Sequence, residues 1–407
     1  MNRQALAAYI YNEKARRRHN LLKGGGVALT PLQILQAKAA PFFLHDFTAR
    51  TDLTFQEATG VTASDGAAEA VGLALSSDQM GDLSYAALMA GQPQLVVNPD
   101  FASGVSGWSF NAPVTMVSSG GGALIARNSG SPTQFPNQSI LTNGDWYEFG
   151  IDITARSNSV SAYFGTPSAG TEIAFAGVVS GVKRIKRSEG ATMYVGPTGV
   201  ATATCTIDNV LIRRIPGNHA VQSGSTSFRP TRQADGSVKG DRLDDNLLSA
   251  LLSSASSFKA AAMLASDIPS ATAAIIGGPV STTRDYLARD TSGRLCAGVG
   301  ADGPATIVGG GDISGLKGVA MLNIDAVAGT VDLEWMPKGG DLVSLYSGPI
   351  NGAVGVGTAL RLFATNPSGT AGNFGGDSLY LAAASQAVLT PAERLAFATG
   401  FNSEIPA

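Results

Sequence analysis

The sequence predicts a mainly β protein: two antiparallel β-sandwiches (jelly-roll) in tandem, after a short N-terminal helix and an extended anchor. Three observations predict this. Apolar and polar residues alternate over short runs, as in "DWYEFGIDITA" (145–155) and "SVSAYFG" (159–165). Turn-forming Gly, Ser and Asn separate these runs about every 10 residues, with no helical pattern between them. Glycine is abundant, at 50 of 407 residues, while charged residues make up only 14% against the usual ~25%. Such a chain makes tight turns and covers its surface with hydroxyls and amides.

The elements follow in order. Residues 1–26 read as a basic helix closed by "KGGG". Leu6, Tyr9, Ile10 and Ala15 share a face, and Lys14, Arg16, Arg17 and Arg18 form a charge run. This is either a docking peg or a solvated tail. Residues 27–92 have too few large apolar residues for their own core and read as an extended anchor or oligomerisation segment. Residues 93–215 form the first sandwich. "LVVNPDFASGVSGWS" (95–109) opens it: Pro99 and Asp100 turn the chain, Phe101 tucks inward, and Trp108 enters the core. In "ATCTIDNVLIRR" the inward parity changes at Asp208–Asn209, which predicts a bulge. Residues 216–227 are a linker by composition. Residues 228–407 form the second sandwich, with hairpins around "TSG" (291–293) and "AG" (328–329). "VGGGD" (308–312) reads as a turn. "LTPAERLAFATGF" is a closing helix with Thr390 as N-cap, Pro391 at the first position and Glu393 completing a capping box, expected over an edge or end of the sandwich.

Three residue groups resemble known modules. "NPDF" (98–101) and "GW" (107–108), closed by "TIDNVLI" (206–212), resemble the two ends of carbohydrate-binding jelly-roll modules of glycosidases and phage fibres. "GNHAVQ" (217–222), "RPT" (229–231), "DD" (244–245) and "LTPAER" (389–394) resemble the concanavalin or laminin-G-like sandwiches of phage structural proteins. "LHDFTARTDLTFQEATGVTASDG" (44–66) resembles the segment before such modules in phage tail and head proteins. The composition is also similar to head spikes of alphaproteobacterial gene transfer agents. The resemblance implies a fibre or spike of a phage-like particle, and a structural calcium near Asp100 and Asp208. The approach to the second sandwich departs from the pattern: it reads "KGDRLDD", and "ADGSV" is offset. No ligand position is carried over there.

Composition excludes several classes. A net charge of −3 argues against a nucleic-acid binder. No run of about 18 apolar residues exists to span a membrane. At the N-terminus apolar "ALAAYIY" precedes basic "EKARRRH", the reverse of a secretion signal, so cytoplasmic synthesis and release by lysis are expected. Cys205 and Cys296 fall in different sandwiches and are not expected to pair. The three histidines, His19, His45 and His219, belong to no recognisable triad. Asp145, Glu148, Asp152 and Glu172 read as carboxylates on a solvated face, and no catalytic residue is expected.

Sugar binding needs aromatic faces for the apolar side of a pyranose and planar amides or carboxylates for its hydroxyls. Parity places Tyr147 inside with Phe149, and Trp146 outside with Glu148. The candidate glycan-binding residues are Trp146, Tyr163 and Tyr194, with Arg127, Asn128, Asn137 and Gln138 on turns. Trp335, alternating with Leu333, reads as core. The expected function is non-catalytic adhesion. A fibre or head spike docks on capsid or tail proteins through its N-terminus and binds host capsular or surface polysaccharide, as a homo-oligomer, trimer or pentamer by analogy. The alternatives are a tail-spike polysaccharide depolymerase, which needs two buried carboxylates about 5–9 Å apart in a cleft, and a purely structural particle component.

Overall fold

The computed structural model describes residues 29–406, apart from 65, 77–82, 129–134, 166–171, 199–201, 223–225, 279–283, 301–305 and 365–373. The expected basic helix, with Lys14, Arg16, Arg17 and Arg18, lies outside the described residues. The protein is mainly β, and its strands pair antiparallel into sandwiches. The chain divides into two compact units: residues 49–238, and residues 239–407 together with those up to 48. This division cuts the segment 27–92 in two. It also groups 228–238 with residues 49–227.

In the first unit, a five-stranded sheet faces a four-stranded one. The larger runs Val179–Arg187, Trp146–Arg156, Ala203–Ile215, Gly122–Arg127, Val114–Ser119. The smaller runs Asn137–Gln138, Met193–Pro197, Val160–Phe164, Glu172–Phe175. Their inner faces interdigitate: Phe149, Ile151, Ile153 and Ile207 from one, Val160, Ala162, Phe164 and Val195 from the other. The predicted bulge is present. Pairing with Trp146–Arg156 slips between Asp208 and Leu211, and Asn209 adopts φ +49°. Trp108 is buried against Phe101, ring centroids 5.5 Å apart, as the opening turn predicts.

The described residues of 49–92 add no separate body. Leu53, Leu73, Leu75, Leu88 and Met89 pack on Trp146, Ile185 and Ile215, covering the outer face of the five-stranded sheet. The helix Tyr85–Gly91 belongs to this cover, with Ser84 capping it through the Ala87 N–H. Nor is the stretch after the sandwich a free linker. Ala220–Val221 pairs with Leu73–Ala74, and fully buried His219 accepts the Ser76 N–H at Nδ1. Gly and Ser dominate that stretch by count, but its few apolar side chains and one imidazole find a hydrophobic floor. Buried Arg232 ties residues 228–238 to the same unit, with Nη2 donating to Thr54 Oγ1.

In the second unit, one sheet runs Phe42–Asp46, Ser378–Ser385, Ser257–Leu264, Lys317–Asp325, Thr330–Pro337, Val343–Pro349. The facing sheet runs Leu247–Leu252, Ala359–Leu362, Ala273–Gly277, Arg284–Arg289, Arg294–Gly300, Thr306–Asp312. Both expected hairpins form, turning at Gly293 and Gly329 with positive φ. "VGGGD" is not a turn but part of the strand Thr306–Asp312; glycine there lets Leu345 lie against Gly309 and Gly310. Trp335 is core. Lys259 and Asp285 reach across the two sheets and form a fully buried ion pair, with Ser257 Oγ 3.1 Å from Nζ.

The helix Pro391–Glu404 has the predicted capping box, Thr390 with Glu393. It covers a face of the first sheet, not an edge: Phe397 and Phe401 pack on Phe258, Ala260, Met321 and Tyr380. Ser257–Leu264 and Ser378–Ser385 are consequently buried on both faces. Their alanines keep that surface low enough for a helix to approach. A second helix, Pro31–Ala37, joins the layer, with Ile34 and Leu35 in the same cluster and Lys38 2.6 Å from Glu393. Residues 31–46 are therefore built into this sandwich and are not an extended anchor.

Candidate functional site

Trp146 does not reach solvent. The parity is as expected, since it points away from Tyr147 and Phe149, but the cover of residues 49–92 leaves it 4% exposed and edge-on to His219 at 5.7 Å. Glu148, expected on a solvated face, lies under the same cover. Its Oε2 accepts the Tyr85 hydroxyl at 3.0 Å, and its Oε1 accepts Lys183 Nζ at 3.1 Å. Burial first, and then the negative Glu148, push the Tyr85 phenol above its ordinary range. Asp152 is held low by Asn209 Nδ2 and the Gly181 N–H. Gln138 is structural too: its amide bonds both the N–H and the C=O of Val97, at 2.9 Å each, as a neighbouring strand would.

Asn137, Tyr194 and Tyr163 converge on the outer face of the four-stranded sheet. Strand register sets Asn137 opposite Tyr194, Tyr194 opposite Tyr163, and Tyr163 opposite Glu172. An amide, two phenols and a carboxylate thus form one row across four strands, about 14 Å long at ~4.8 Å per strand. The row exists because Ala162, Phe164 and Met193 point inward, which sends the alternate residues out. Tyr194 is half-buried, and among the described residues its hydroxyl makes no hydrogen bond. Asn137 donates Nδ2 to Ser109 O and Phe135 O, and among the described residues its Oδ1 accepts none. Glu172 is exposed and accepts the Ser161 hydroxyl.

Tyr163 is only 6% exposed. Phe135 stacks on it at 5.8 Å, close over Gly196, where a Cβ would stand 2.7 Å from the ring. The Arg127 guanidinium lies over the Phe135 ring, 5.7 Å from its centroid. Burial, then the charge of Glu172, raises the Tyr163 phenol, and Arg127 opposes this. Tyr163 thus supports the row, and Tyr194 is its accessible ring. Asn128 is exposed just past Gly122–Arg127, a strand of the five-stranded sheet, and no register brings it into the row. The sequence does not single out Phe135; Glu172, read as a carboxylate on a solvated face, is exposed as expected and joins the row through strand register.

Asp100 and Asp208 each hold a local turn, accepting the N–H groups of Ala102 and Asn209. Among the described residues, the three-carboxylate group with metal-ligand spacing is elsewhere, at Asp241, Asp244 and Asp245. Burial, with the charges of Asp241 and Asp244 adding to it, pushes Asp245 up to about 7. Both cysteines are free and buried, and burial raises each thiol to about 12. Among the described residues, no helix is long and apolar enough to cross a membrane.

No protein-family model matches the sequence, and no curated protein matches it. Solved structures resemble parts of it distantly. The CBM40 of the Ruminococcus gnavus IT-sialidase is 13% identical, matching 35% of this chain and 82% of that one, with a TM-score of 0.28. Trypanosoma rangeli sialidase is 8% identical over 72% of this chain and 53% of that one, with a TM-score of 0.32. A tail fibre protein of an E. coli phage is 8% identical over 70% of this chain and 38% of that one, with a TM-score of 0.20. Likenesses this weak assign the chain no role.

Proposed function

We propose that this chain is a non-catalytic adhesin of a phage-like particle, a fibre or head spike that binds host surface polysaccharide through the row Asn137–Tyr194–Tyr163–Glu172. The cross-strand register carries this reading, because it gathers residues scattered over the sequence into one line. The half-exposed Tyr194 ring offers a flat apolar face to a pyranose, and the Asn137 Oδ1 and Glu172 carboxylate accept from hydroxyls on either side. A row about 14 Å long suits a short run of a repeating polymer. Weak binding at each row gains from several copies, which fits a homo-oligomer, a trimer or pentamer. Docking on capsid or tail proteins falls to the basic N-terminus, with Lys14, Arg16, Arg17 and Arg18. A calcium ion near Asp100 and Asp208 remains part of the proposal as a structural element only.

Capture of host capsular polysaccharide, or binding on a glycan array, tests the reading. Wild type binds, and Tyr194→Ala loses at least about tenfold in affinity, the scale of one aromatic contact. Wild type that binds no glycan overturns the function. Undiminished binding by Tyr194→Ala overturns the row as the site.

A further inference from the structure

The loop "GDRLDDN" at 240–246 leads into the strand Leu247–Leu252 of the second unit. It gathers three carboxylates: one oxygen each from Asp241, Asp244 and Asp245 lies within 4.8 Å of the others. Like charges at this separation repel strongly unless something neutralises them. Among the described residues, no lysine or arginine pairs with any of the three. Arg242, the loop's one cation by sequence, turns away and donates Nη2 to Asp267 O at 2.7 Å. Asp245 is only 3% exposed. Its Oδ2 accepts the Asp241 N–H at 2.9 Å, but its Oδ1 is buried with no hydrogen-bond partner. A buried carboxylate oxygen without a donor is costly, and nothing in the loop's own bonding requires it.

We propose that Asp241, Asp244 and Asp245 bind a calcium ion, with the orphaned Asp245 Oδ1 as its innermost protein ligand. The donors are all hard oxygens, which selects against zinc and the softer metals. Calcium takes about six to eight oxygens in a flexible shell, whereas magnesium demands a regular octahedron and keeps most of its water. Three carboxylates drawn from one five-residue stretch suit the more flexible ion. Burial is graded, from exposed Asp241 through half-buried Asp244 to buried Asp245, which gives the ion a way in and leaves room for water ligands. The next residue, Asn246, accepts Arg361 Nη1 at 2.5 Å. The ion would therefore anchor the loop directly before a strand that is already held.

The test uses the full chain stripped with chelator, titrated with CaCl2 by calorimetry and followed by thermal melting. Calcium raises the melting temperature, as any ligand of the folded state does. Asp244→Asn and Asp245→Asn each weaken calcium binding at least tenfold, and MgCl2 binds more weakly than CaCl2. In chelator, Asp245→Asn melts at or above wild type, since it removes one of three crowded charges. No heat and no shift at about 10 mM calcium, ten times the weakest ordinary extracellular sites, overturns the proposal. So does calcium affinity unchanged in both variants, and magnesium binding as tight as calcium overturns the choice of ion.

Discussion

The five-stranded and four-stranded sheets of the first sandwich alternate inward and outward side chains in the same way, yet their outer faces differ. On the larger sheet, Trp146, Glu148, Ile185 and Ile215 point outward and are buried, because residues 49–92 lie over them. On the smaller sheet, Asn137, Tyr194 and Glu172 point outward and keep a share of solvent. Strand parity decides which way a residue points, but a distant segment decides what it meets. An aromatic on a covered face contributes to stability, and one on an open face is available to a ligand.

Substitutions can break that comparison, and the largest effect belongs to the covered face. Trp146→Ala should cost about 3–5 kcal/mol in a urea or thermal melt, the usual toll for deleting a large buried aromatic. A variant as stable as wild type would mean the cover is not there. Next, Glu148→Ala orphans the Tyr85 hydroxyl and should cost about 1–3 kcal/mol by the same measurement. The pH dependence sharpens this. The folded state holds the Tyr85 proton above its ordinary pKa of 10.0, so this contribution is present below that pH and is lost as pH rises past it. Tyr85→Phe should lose less stability than wild type between about pH 9 and 11; parallel melts would expose any failure to differ.

The buried thiols give a qualitative check. Buried, and with thiol pKa values pushed up to about 12, Cys205 and Cys296 should resist alkylation at neutral pH until the chain unfolds. Rapid labelling of native protein would contradict their burial. The smallest effect is expected on the open face. Tyr194→Ala, at a half-buried ring that also touches the sandwich core, should cost about 1 kcal/mol or less while reducing glycan binding. A large loss of stability there would make Tyr194 another supporting residue.

Much of this architecture was legible in the sequence. Alternation located the strands around Tyr147–Ile153, the parity change located the bulge at Asn209, and Thr390-Pro391 with Glu393 marked the last helix. What stayed hidden depends on pairing at long range. "TPLQILQAK" holds a capped helix whose purpose becomes visible only beside Phe397 and Phe401. His219 looked like part of a polar linker because the surface it fills is made by residues 73–76 and Trp146. The row Asn137–Tyr194–Tyr163–Glu172 was half legible. Residue type points to Asn137, Tyr194 and Tyr163, but the register aligning them is set by strand pairing, which parity alone does not determine.

The pairing of Phe42–Asp46 with Ser378–Ser385 has a consequence for how the chain is made. An entire sandwich is spliced into another: the host's opening strand leaves the ribosome before the guest, and its partner only after it. Lys38 and Glu393, which meet in the finished fold, stand 355 positions apart. At roughly 5–20 residues per second, that opening segment waits on the order of tens of seconds for its place. The guest sandwich, complete by residue 238, has all its parts long before the host does. Assembly of the host would then be the late event, and its apolar leading segment is what a chaperone would have to shield meanwhile.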